Sequence, residues 1–144
     1  MASMLPAKPI KTLWCPVVQG TNADNTIADF PAKLCSALND VARMSFACPP
    51  DWGSMIDAVI FVVSVGTTIS YDMASSFGYQ GEAANANSAT AAPTNAITVA
   101  NTIYALDASQ ILTSIAANDV VGVRIRLTDA LNDFYVIGLR VRYI

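Results

Sequence analysis

Apolar and polar residues alternate with a period of two through the C-terminal part of the chain. Val121, Val123, Ile125 and Leu127 share one parity, and Gly122, Arg124, Arg126 and Thr128 take the other. After a break at 129–133, Tyr135, Ile137, Leu139, Val141 and Tyr143 alternate with Gly138, Arg140 and Arg142. Successive side chains of a strand point to opposite faces. The pattern therefore predicts two strands, read as an antiparallel pair with one buried face and one arginine-bearing face. Upstream, Ile69, Tyr71, Met73, Ser75, Phe77 and Tyr79 alternate with Ser70, Asp72, Ala74, Ser76 and Gly78, which predicts another long half-buried strand. Residues 56–65 are apolar on both parities, as in a central strand covered on two faces.

The remaining elements are shorter. Val41 to Ala47 predicts a strand ended by Cys48-Pro49-Pro50-Asp51, with Trp52 following. Ala96 to Tyr104 and Ser109 to Ile115 read as two further strands, and Ala116 to Asp119 as a turn. Residues 81–95, rich in Ala, Asn, Ser and Thr, read as a long loop. Leu34 and Leu38, at i, i+4 spacing, predict a turn or two of helix within 30–39. The first 34 residues hold four prolines and the run Gln19 to Asn25, and read as irregular. Leu13 to Val18 is a short apolar piece that Pro16 restricts to an edge strand or an extended arm. Many short strands separated by turn signals predict an all-β, antiparallel, jelly-roll-like β-sandwich.

Composition sharpens this picture. Of 144 residues, 53% are hydrophobic and 13% charged, against about 25% charged in an ordinary soluble domain. So weakly charged a surface points to an oligomer or an assembly subunit. The net charge of −3 argues against nucleic-acid binding, which leans on basic excess. No apolar stretch reaches the roughly 18–20 residues that span a bilayer, and prolines interrupt any signal-peptide-like run.

Candidate chemistry is sparse. The chain has no histidine, which removes Ser-His-Asp and Cys-His catalysis. Cys15, Cys35 and Cys48 match no metal spacing and read as small buried hydrophobes, with one bridge between two of them left open. The carboxylate pairs Asp51/Asp57 and Asp129/Asp133 sit at turns, where Asp bonds local backbone. Glu82 reads as a solvated loop residue. Asn22 to Asn25 and Asp129 to Asp133 lack the spacing of a calcium loop. No catalytic residue, cofactor or metal site is expected. Arg124, Arg126, Arg140 and Arg142 read as neighbours on one outer face. They are either solvated or paired with an acidic stretch of another subunit, with anionic glycan or nucleic acid as the remaining options. Trp14 reads as an interface anchor and Trp52 as a core plug.

Several pieces come in a suggestive order: Leu13-Trp14-Cys15-Pro16, the turn Pro50-Asp51-Trp52 before the apolar run Ala58 to Val63, an aromatic strand, and an Ala/Asn/Thr-rich segment. The close runs Asn118 to Arg126 and then Val136 to Tyr143. Together they resemble small jelly-roll-like β-sandwich virion proteins of tailed bacteriophages. Val63 and Tyr71 stand where such sequences often carry tryptophan. The resemblance implies a non-enzymatic structural protein of the capsid surface, a decoration (cement) protein that stabilises the head shell. It also implies a homo-oligomer, a trimer, bound to the major capsid protein. The alternative is a tail-fibre or receptor/glycan-binding domain. On this reading an N-terminal arm (1–40) precedes the sandwich domain (41–144). Leu5, Ile10, Trp14 and Val17, with the four arginines, then form the partner interface.

Overall fold

The computed structural model describes residues 8–130 and 132–144. Eleven strands form two antiparallel sheets packed face to face. They are β1 (Lys11–Pro16), β2 (Gln19–Gly20), β3 (Asp24–Ile27), β4 (Phe30–Cys35), β5 (Val41–Ala47), β6 (Met55–Ser64), β7 (Thr68–Gly78), β8 (Asn87–Ile97), β9 (Ile103–Asp107), β10 (Val120–Asp129) and β11 (Phe134–Tyr143). One 3₁₀ turn, Ser109–Ile111, joins β9 to the segment before β10. The six-stranded sheet runs β3-β4-β11-β6-β9, with β1 also paired to β11. The five-stranded sheet runs β2-β5-β10-β7-β8.

The predicted parity of β10 holds; that of β7 holds only in part, since Ser70 and Asp72 of the other parity are buried too and Tyr79, placed on the buried parity, lies past the strand and is exposed. Val121, Val123, Ile125 and Leu127 are buried, as are Ile69, Tyr71, Met73 and Ser75. They face Ala58, Ile60 and Val62 of β6 and Phe134, Val136, Leu139 and Val141 of β11 across a single core. The expected pairing of the last two strands does not hold. β10 bonds to β5 and β7, whereas β11 bonds to β1, β4 and β6 in the other sheet. β10 and β11 thus belong to different sheets and do not form a hairpin. Alternation tells which face is buried but not which strand lies alongside, and both inner faces see the same core.

β11 also carries a bulge. Its register to β6 shifts between Val136 and Gly138, so one residue is left unpaired and the parity inverts. Phe134 and Val136 point inward before it, Leu139 and Val141 after it, and Tyr135 is left on the outer side.

Residues 11–35, expected to be irregular or helical apart from an edge strand or extended arm at Leu13 to Val18, form β1 to β4. The Leu34/Leu38 spacing is not a helix: Leu34 lies in β4, opposite Tyr135, and Leu38 is exposed. β1 has one neighbour only, as Pro16 requires, and fills the side of β11 that β4 leaves open. Residues 87–95, expected to be loop, lie in β8, which runs on to Ile97. Alanines and small polar residues give that stretch no apolar period. It holds its place through the ladder to β7, and Pro93 sits where the register shifts. Ser109 to Ile115 is a 3₁₀ turn and loop, not a strand.

The three thiols are free and buried. Burial pushes Cys15 and Cys48 up to about 11, with the Asp119 charge adding to the effect at Cys48. Burial, then the Asp40 charge, raises Cys35 to about 12.

Candidate functional site

The outer face of the five-stranded sheet carries a concave trough. On it, β5, β10 and β7 lie side by side with short side chains along the middle. Ser45 stands opposite Gly122, Gly122 opposite Ser76, and Arg124 opposite both Arg43 and Ala74. Glycine, serine and alanine there leave a trough of about 470 Å³, walled by Val18 and Gln19 on one side and by Arg43 and Arg124 at one end. The Val18 N–H donates to the Arg43 carbonyl at 3.0 Å, which fixes that wall against β5.

A second cavity of about 450 Å³ shares Ser76 and Gly122 with the first. The two adjoin there, and the second extends the trough's line to Tyr79, Glu82 and Val120. Tyr79 is 55% exposed. Its loop is pinned by Glu82, whose carboxylate accepts from the Tyr79 backbone N–H at 2.9 Å and from the Asn87 amide at 3.0 Å. Those two bonds, the backbone one foremost, hold the Glu82 carboxyl below its usual range. Glu82 is therefore a fastener of the trough's end and not merely a solvated residue.

The four predicted arginines are divided between the two sheets. On the five-stranded sheet Arg126 takes both oxygens of Asp72, with Nε donating to Oδ1 at 3.2 Å and Nη2 to Oδ2. Arg124 reaches the same carboxylate only at 3.9 Å, and its Nε is buried with no hydrogen-bond partner among the described residues. On the other sheet Arg142 is bidentate to Asp57, with Nε at 2.9 Å from Oδ1. Hydrogen bonds from Arg142, then its charge, hold the Asp57 carboxyl below the usual range. Arg140 lies over the Phe61 ring at 5.4 Å. Two of the arginines thus find carboxylates within the chain, where an acidic stretch of another subunit was one expectation.

Of the remaining predicted interface residues, Trp14 lies beside Arg140. Trp14 pairs with Arg140 in register, lies 6.1 Å from Phe61, and is 51% exposed. Ile10 is exposed at the start of β1, and Val17 packs partly against the core. Leu5 lies outside the described residues. Trp52 is buried and stacks on Tyr143 at 4.9 Å. Among the described residues no cluster of acidic or thiol side chains has the geometry of a metal site. Sequence reasoning did not single out Arg43 and Tyr79 as site residues. Arg43 alternates correctly within β5, but its meeting with Arg124 depends on a pairing that no local pattern reveals.

No family model matches the chain, and no curated protein does. Solved structures do match. The CBM36-1 domain of a multidomain xylanase from the hindgut metagenome of Trinervitermes trinervoides aligns over 92% of this chain and 96% of that one. Its TM-score is 0.54, at 12% identity. A carbohydrate-binding module CBM36, in complex with calcium and xylotriose, aligns over 91% and 98%, with a TM-score of 0.50 and 17% identity. The fold is a jelly-roll β-sandwich. At such identities the likeness establishes architecture alone, which is the part of the sequence resemblance that holds.

Proposed function

We propose that this chain is a non-catalytic glycan-binding module, with the trough on the β2-β5-β10-β7-β8 sheet as its binding face. The observation that carries the reading is the pair of adjoining cavities that share Ser76 and Gly122 in their linings. A strip of sheet cleared of bulk, edged by Gln19, Ser45, Ser76 and guanidinium groups and ended by an exposed tyrosine ring, suits an extended sugar chain. Hydroxyls take the polar edges, and a sugar face stacks on the ring. Structural neighbours described as carbohydrate-binding modules support the same reading. The missing histidine and the lack of paired carboxylates in the trough agree with binding without turnover.

The test is a plugged trough. A Cβ on Gly122 meets nothing closer than the Ser76 carbonyl at 3.9 Å, so a side chain there fits the backbone. Gly122→Ile fills the floor with a residue that suits a strand. Against a panel of soluble oligosaccharides followed by calorimetry, we expect the variant to bind its best ligand at least about tenfold more weakly, a loss of about 1.4 kcal/mol. Its melting temperature should stay within about 3 °C. Unchanged affinity, or no binding to any glycan, defeats the proposal.

The virion decoration role is a second reading, favoured by the exposed Trp14–Phe61–Arg140 patch on the opposite sheet and by exposed Val65, Ile97 and Val99 near one end. A chain that ignores every glycan, yet pellets with phage heads unless Trp14 is replaced, decides for it.

A further inference from the structure

Arg43 and Arg124 stand directly opposite each other on neighbouring strands of the five-stranded sheet. Like charges so placed oppose folding. Asp72 is the nearest carboxylate, but Arg126 occupies both its oxygens and Arg124 lies 3.9 Å away. No ion pair to Arg43 occurs among the described residues. The five strands of this sheet hold one other acid, Asp129, at the sheet's rim. Glu82, at the trough's far end, is committed to the Tyr79 N–H and the Asn87 amide. Three guanidiniums thus face one carboxylate within a chain of net charge −3. Two of the three line the trough, and one of those keeps a buried, unpartnered Nε.

We propose that the Arg43–Arg124 pair selects acidic sugars, binding the carboxylate of a uronic-acid unit in a chain laid along the trough. A guanidinium is planar and presents parallel N–H donors that match a carboxylate. A uronate between the two arginines relieves their repulsion and takes guanidinium-end donors that no carboxylate of the described residues holds at hydrogen-bond distance. The rest of the trough then holds neighbouring sugars through Ser45, Ser76 and the Tyr79 ring. This inference rests on the glycan-binding reading and narrows it to one ligand class.

The test titrates the full chain with four probes at low ionic strength: tetragalacturonate, neutral xylotetraose, inorganic sulfate and a short single-stranded oligonucleotide. We expect tetragalacturonate to bind at least about tenfold more tightly than xylotetraose, with the preference shrinking as salt is added. Arg43→Gln and Arg124→Gln should each bring the acidic sugar down to the affinity of the neutral one. Arg43 is exposed, and removing a like-charge neighbour should leave the Arg43→Gln melting temperature unchanged or raised, so the loss is not one of folding. Equal affinity for the two sugars overturns the acidic preference while leaving glycan binding intact. Sulfate binding as tightly as the tetramer reduces the pair to a simple anion site and overturns the proposal. Oligonucleotide binding more tightly than the uronide overturns it in favour of nucleic acid. Failure of both sugars overturns the broader reading as well.

Discussion

Asp40 ties the Asn22 side chain to the Ser36–Ala37 turn. It is buried, and its carboxylate accepts from the Ser36 and Ala37 backbone N–H groups at 3.0 Å each and from the Asn22 amide at 2.9 Å. Burial pushes its pKa up, but the N–H groups of Ala37 and Ser36 and the Asn22 amide outweigh that and hold it below the usual range. Nothing in the order Leu38-Asn39-Asp40-Val41 announces the contact with Asn22, eighteen positions away. Asp40→Ala leaves those part-buried donors without their acceptor, and should cost about 1–3 kcal/mol in chemical denaturation. The sign of the pH effect follows from the lowered folded pKa. The ionised form contributes stability above the unfolded carboxylate value of about 3.9, and that contribution is lost as pH falls through the lower folded value. Stability measured from pH 6 down to pH 2.5 should therefore fall less steeply in Asp40→Asn than in the wild type. Equal slopes would mean that folding leaves the Asp40 pKa unchanged.

At the scale of elements, the alternating strands were readable and the quiet ones were not. β7 and β10 carry enough apolar residues on one parity to declare both their existence and their buried face. β8 carries alanine, asparagine and threonine, so its place is set by bonds to β7 rather than by any pattern of its own. The bulge in β11 was invisible too, because an inverted parity preserves the appearance of alternation. Beside that bulge, Gly138 allows a close approach that sequence gives no sign of. A Cβ there would lie 2.7 Å from the Cys15 carbonyl oxygen and 2.8 Å from the Trp14 indole, so the ring rests over the glycine. Gly122, also in a strand, has no such crowding, with its nearest neighbour at 3.9 Å. The two glycines make a paired test. Gly138→Ala must push β1 away from β11 and should lose about 1–3 kcal/mol. Gly122→Ala should stay within about 0.5 kcal/mol. Equal losses at the two sites would mean that β1 is not held against Gly138.

The whole molecule decides whether the N-terminal residues are an arm or part of the domain. Sequence favoured an arm because prolines and turn residues crowd the first 34 positions. That reading judged the segment by its own pattern, whereas its structure comes from β11, a strand more than a hundred residues away. β1 makes a six-residue ladder along β11, from Lys11 opposite Tyr143 to Pro16 opposite Gly138. Its Cys15 is buried, and its Leu13 packs against the core. On β11, Leu139 and Val141 face these residues and are fully buried. Removing residues 1–18 would strip that ladder, leave backbone donors and acceptors of a central strand unpaired, and expose an apolar edge open to other chains. An arm could be deleted with little effect on the sandwich, but a strand of the core cannot. We expect the truncated chain to aggregate or to melt without a cooperative transition, read by near-ultraviolet circular dichroism and light scattering against the full chain. If it stays monomeric and melts within about 3 °C of the full chain, a small shift for a domain of this size, then β1 is a detachable arm after all. In that case the Trp14 patch belongs to whatever the arm binds.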